Sequence, residues 1–267
     1  MKKYISFFRI RFINGLQYRA AAYAGVATQF AWGFMEILLF RAFYRTNPSA
    51  FPMEFSQLSS YIWLQQAFLA LFMTWFLEND IFLAITNGNV AYELVRPMNL
   101  YHMWFVKNLA NRISKAALRC TPILAVAAFL PGPYRISLPL SLADFFLFLV
   151  SMALGVLVVV AFCMLIYITA FFTLSSTGIR IIAVSLVDFL SGGLIPLPFL
   201  PDPIRTVLER LPFGAMQNIP FLIYSGNITG EKMIFSLCLQ TFWLAVLILT
   251  GRAAMHKALR KVVVQGG

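Results

Sequence analysis

Residues 145–172 read FFLFLVSMALGVLVVVAFCMLIYITAFF, 28 positions without a charged side chain. A helix of that length is about 42 Å long, more than the ~30 Å hydrocarbon core of a bilayer requires. In water such a helix would need protein on every face, and the remaining sequence does not supply it. Of 267 residues, 60% are hydrophobic and only 12% charged, with a mean hydropathy of +0.79. An ordinary soluble domain carries about 25% charged residues. Half that charge cannot coat a soluble globule of this size. A water-soluble enzyme, a disordered chain and a secreted disulfide scaffold are excluded, and the fold class is an all-α integral membrane protein. Cys120, Cys163 and Cys238 form no CxxC and read as packing residues.

Working outward from that run, five further segments approach the ~20 apolar residues of a span. They are 20–43, 58–77, 106–130 (amphipathic at first), 181–200 and 233–250. The formal charge is +11, and the basic residues stand at the edges of these runs, where they set topology and meet anionic lipid headgroups. No nucleic-acid partner is expected. With both termini cytoplasmic, fifteen Lys and Arg fall inside, among them Lys107, Arg112, Lys115, Arg119 and Lys261, and six fall outside. The positive-inside rule therefore predicts six transmembrane helices with N- and C-termini in the cytoplasm.

One permease-sized domain, 1–267, is expected, with three pieces that do not span. Residues 1–19 mix Phe7, Phe8, Ile10, Phe12 and Ile13 with Lys and Arg, as an interfacial helix would; a solvated basic tail is the plainer alternative. Arg9, Arg11 and Arg19 interrupt it too early for a cleaved signal peptide. Residues 78–105 form a cytoplasmic segment and 201–231 an external one. The loops 44–57 and 131–141 leave no room for a large external domain.

Four polar residues fall inside predicted spans: Glu36, Gln65, Gln66 and Asp188. Charge at membrane depth is costly, so each marks either a substrate path or an interhelical hydrogen bond. Glu36 precedes Arg41 by five residues and Asp188 follows Arg180 by eight, so internal pairing is one option and pairing across a subunit interface another. The fifth segment contains Gly192, Gly193, Pro196 and Pro198 and cannot be one unbroken helix. Either it breaks and re-enters, with PIRTVLERLPF as a short interfacial helix, or the span ends at Gly193 and an external loop follows.

Enzyme signatures are missing from the sequence. It contains no GxxxxGK[ST] and no HExxH, and His102 and His256 have no ligand-spaced partners. Neither a catalytic nor a metal site is expected.

GNVAYELVRPMNLY (88–101) resembles the cytoplasmic stretch of a bacterial subfamily of ABC transporter permeases of the type-2 exporter class. SGGLIPLPFLPDPIRTVLERLPF (191–213) resembles the fifth-span region of the same subfamily. The resemblance extends over essentially the whole chain. It implies a permease subunit of the bacterial plasma membrane that pairs with a second, identical or paralogous, permease and docks on separate ATPase subunits. ATP and magnesium would bind those ATPases and no cofactor this chain. It further implies that a coupling segment, about 80–97, meets the ATPase through Asp80, Asn87, Gly88, Glu93 and Arg96, with Pro97 ending its helix. A self-contained secondary carrier or channel is the alternative. No broken helix in the first half matches SGGLIPLP as a repeat partner would.

Overall fold

A computed structural model describes residues 1–46, 51–173 and 176–260. Lys261, counted above among the cytoplasmic charges, and part of the 44–57 loop lie outside them. The described residues form helices without strands: α1 (Lys2–Gly15), α2 (Arg19–Thr46), α3 (Phe55–Ala67), α4 (Leu69–Phe72), α5 (Asn79–Thr86), α6 (Val90–Leu94), α7 (Leu100–Phe129), α8 (Leu142–Thr169), α9 (Ser176–Leu190), α10 (Asp202–Arg210), α11 (Asn218–Tyr224) and α12 (Gly230–Leu259). Two of these, α8 and α12, combine the length and apolarity needed to cross a bilayer, with mean hydropathies of 2.9 and 2.1.

The centre of the bundle is α8, the helix of the deciding run. Ser141 caps it by accepting the Asp144 amide at 3.1 Å, and Val158, Val159, Val160, Ala161 and Cys163 are wholly enclosed. Around it pack α12, α11, α7 and α9. A polar lock fixes α12 to α8: Ser151 donates to Gln240 at 2.9 Å, and the Gln240 amide donates to the carbonyls of Ser151 and Ala215. Beside it Gly155 lets the backbone approach, since a Cβ there would lie 2.4 Å from the Met216 carbonyl oxygen.

The second predicted span differs from expectation. Instead of one helix over 58–77, α3 stops at Phe68, α4 makes a single turn, and the chain is extended at Met73. Neither proline nor glycine causes this break. The carbonyls of Leu71 and Met73, released from the helix, accept hydrogen bonds from Arg112 at 3.0 and 2.8 Å.

In the fifth segment α9 ends at Leu190, and the chain turns through Gly192 at φ +80°. A short 3-10 turn at Leu197–Phe199 then leads to α10, near the short helix expected there. The following α11 is buried against α8 and α3. The N-terminal segment is helical as α1 and lies along α7, with Ile5, Ile10 and Ile13 exposed.

Candidate functional site

A cavity of about 690 Å³ opens between α2, α3–α4 and the end of α9. Its walls include Trp32, Met35, Leu39, Leu69, Trp75 and Phe76, and its polar lining is Gln29, Glu36, Gln65, Gln66, Arg119 and Asp188. All four polar residues singled out within the predicted spans therefore share one site, together with Gly193 of the helix break. Apolar walls with a few convergent polar groups are the usual form of a small-molecule site.

Several polar atoms of these residues are not satisfied by the protein. Both amide atoms of Gln29 are buried without a partner, and so are Glu36 Oε1, Gln65 Oε1, Asp188 Oδ1 and Arg119 Nε. Gln29 is 3% exposed and Gln65 2%, so solvent does not satisfy them either. Buried polar groups in proteins are overwhelmingly paired, and unpaired ones gathered around a cavity mark where a ligand or water would bind.

The expected internal ion pairs do not form. Five residues along a helix turn about 140° away from the starting face, and Arg41 instead stacks on Tyr134 at 4.8 Å. Eight residues separate Arg180 from Asp188 by two turns, and Arg180 donates to Asn79 Oδ1 at 2.7 Å while lying over Phe82. Gln66 is the polar neighbour of the Glu36 carboxyl.

Helix-break residues form the end of the cavity. Gln65 Nε2 donates to the Gly193 carbonyl at 2.5 Å, and Gln217 donates to Ser191 Oγ at 3.3 Å. Irregular backbone inside a helical bundle persists only where protein supplies such partners. Gly192 is required by its positive φ and by its neighbour: a Cβ would stand 3.2 Å from Tyr61 Oη. Pro196 and Pro198 are buried beyond it.

The 80–97 segment is two short helices, α5 and α6, joined at Gly88 with φ +74°, rather than one rod. Its polar residues divide into two groups. Asn87, Gly88, Arg96 and Pro97 are exposed. Asp80 forms an ion pair with the buried Lys107, and Glu93 accepts the Trp104 indole N–H at 2.5 Å. The last two thus fasten the segment to its own bundle. Lys3 donates to the Pro97 carbonyl, and the Asn99 amide to Tyr4 Oη at 3.1 Å, so α1 holds the end of the segment as well. Next to this junction, burial and then the Arg252 cation lower the pKa of His102.

Sequence reasoning missed three residues here. Arg112 and Arg119 were read as edge charges, yet Arg112 is 1% exposed, donating to Asn108 Oδ1 and to the two carbonyls at the α4 break. Asn108 in turn donates to Tyr167 Oη at 2.7 Å, which also accepts the Glu78 amide. Gln29 carried a readable signal: it is seven residues, two helical turns, before Glu36 and on the same face. Among the described residues no group of three or more His, Cys, Asp or Glu is placed to hold a metal.

Among the described residues the fold is thus an all-helical bundle with two helices long and apolar enough to cross a membrane and a polar-lined cavity at a helix break. Residues 30–266 match the family described as ABC-2 family transporter protein, and the chain belongs to that family. Members are non-catalytic membrane components of ABC transporters. No curated protein matches the chain.

Proposed function

We propose that this chain is the permease subunit of an ATP-driven exporter in a bacterial plasma membrane. It crosses the membrane six times with both ends in the cytoplasm, and the 201–231 segment re-enters from outside. A second permease, identical or paralogous, closes the open side of the cavity, and separate ATPase subunits drive the pair. The observation that carries this reading is the 690 Å³ cavity, where Glu36, Gln65, Gln66 and Asp188 meet a backbone break between apolar walls. A substrate path needs polar points that a passing ligand can satisfy and a helix that can rearrange. ATP-driven closure of the motor would push on α5 and α6. That push would reach the bundle through the Asp80–Lys107 and Glu93–Trp104 contacts.

The test is affinity purification of the tagged chain from its native membrane in mild detergent, with every co-purifying subunit identified. An associated protein bearing GxxxxGK[ST] is expected. Recovery of a stable chain alone would overturn the reading in favour of a self-contained carrier.

A further inference from the structure

A second cleft, of about 480 Å³, lies where α1 crosses α7. Arg11 and Asn14 line it from α1, Lys115, Arg119 and Asn111 from α7, and Tyr18 from the turn into α2. Three cations converge and no carboxylate is among the lining residues. Among the described residues none of the three cations makes an ion pair. Glu78 acts on Lys115 electrostatically but stands outside the cleft. Lys115 and Arg119 lean on the Phe76 ring at 4.9 and 5.8 Å, and Arg11 on Phe7 at 5.3 Å. Their charged ends are thus held over aromatic faces, which fixes their positions at the cleft, and Arg119 Nε is buried without a partner.

The cleft has a built floor. Gly15 meets α7 so closely that a Cβ there would overlap Ser114 Oγ, which fixes the C-terminal end of α1 on α7. Along α1, Ile5, Ile10 and Ile13 remain exposed, apolar side chains suited to the acyl region beneath headgroups. A cationic cleft beside an exposed apolar face matches a ligand with an anionic head and a hydrocarbon tail.

We propose that this cleft binds the phosphate headgroup of an anionic phospholipid, which seats α1 on α7. Arg11 and Arg119 offer planar guanidinium groups for phosphate oxygens and Lys115 a point charge. The cleft shares Arg119 with the cavity between α2, α3 and α9, but the proposal needs only that the protein reside in a bilayer and its test uses Arg11 and Lys115.

The chain is reconstituted in vesicles of equal phosphatidylglycerol and phosphatidylcholine and extracted in mild detergent. Retained lipid is then quantified by mass spectrometry. Phosphatidylglycerol should be enriched over phosphatidylcholine on the unaltered chain. Arg11→Gln with Lys115→Gln should lower that enrichment about thirtyfold, since each of the two basic residues contributes about 1 kcal/mol. Arg9→Gln with Lys257→Gln removes the same charge from exposed positions outside the cleft and should leave the enrichment intact. If the double variant does not fold, Asn111→Asp, which places a carboxylate in the cleft, should abolish the enrichment. Absence of enrichment on the unaltered chain, or equal loss in the Arg9/Lys257 control, overturns the proposal. Displacement of the lipid by millimolar inorganic phosphate assigns the cleft to the free ion and overturns the lipid as its ligand.

Discussion

At the scale of single residues, Arg112 shows how this protein stabilises charge away from water. Its guanidinium makes bonds to an asparagine and two main-chain carbonyls, and it approaches Cys163 Sγ at 3.3 Å, with no carboxylate among them. The carbonyls are available because α4 ends there, and the break in turn is satisfied because the arginine is there. Arg112→Met would leave two carbonyls and Asn108 Oδ1 unpaired in the interior. Each lost partner leaves a desolvated group at about 1–3 kcal/mol, so we expect a destabilisation of at least about 3 kcal/mol, read as a lowered unfolding midpoint in detergent. Arg112→Lys should recover only part of it, since an ammonium cannot span both carbonyls and the amide. Loss of less than about 1 kcal/mol in the methionine variant would show that the break stands without the arginine. None of this was legible from the sequence, where an arginine after residue 106 reads as a charge at a span edge. Burial came from carbonyls some forty positions away. Glu36 and Asp188 were legible, because an acid in an apolar run is visible without knowing its neighbours.

At the scale of elements, the 80–97 segment folds as two short helices whose polar residues divide between contacts to the bundle and the exposed surface. The polar residues named from the resemblance include Asp80 and Glu93, both engaged with α7. Besides Asn87 and Arg96, the exposed surface carries apolar side chains: Leu83, Tyr92, Leu94 and Val95, Tyr92 at 74%. An exposed aromatic on a short helix, as Tyr92 is on α6, is the kind of anchor that dominates an interface. If the proposed ATPase docks on this segment, Tyr92→Ala should weaken that association about thirtyfold, equivalent to ~2 kcal/mol. Titration of the purified subunits would measure it, and the stability of the chain alone should be unchanged. Unaltered affinity would move the contact elsewhere. A Glu93 substitution is a poorer probe, because it would also free the Trp104 indole. Boundaries were harder to read than identity. The proline- and glycine-rich break after α9 announced itself, whereas the end of α4 contains LFMTWF, residues 71–76, in which no side chain disfavours a helix strongly.

At the scale of the whole molecule, apolarity and topology separate. Only α8 and α12 cross the threshold of length and hydropathy. The other predicted spans fall short of it because α3 is 13 residues long and α9 15, because α2 holds Glu36, and because α7 holds Lys107, Arg112, Lys115 and Arg119. These helices carry the cavity and the buried arginine network, so the polar residues that serve the site weaken the signal that would reveal the span. Six crossings and two crossings predict different sidedness for particular exposed residues. If only α8 and α12 crossed, Val95 and Leu138 would face the same side and Val207 the other. With six crossings Val95 is cytoplasmic, while Leu138 and Val207 are both external. Val95, Leu138 and Val207 are 83%, 88% and 58% exposed, so cysteine at each position is reachable by a membrane-impermeant maleimide. Cys163 is buried, and Cys120 and Cys238 can be replaced by alanine to remove background. We expect Val95→Cys to label in inverted vesicles, and Leu138→Cys and Val207→Cys in right-side-out ones. Leu138→Cys decides the matter: labelling it from the same side as Val95→Cys would take α7 out of the membrane and leave the polar-lined cavity without the wall that carries Arg119.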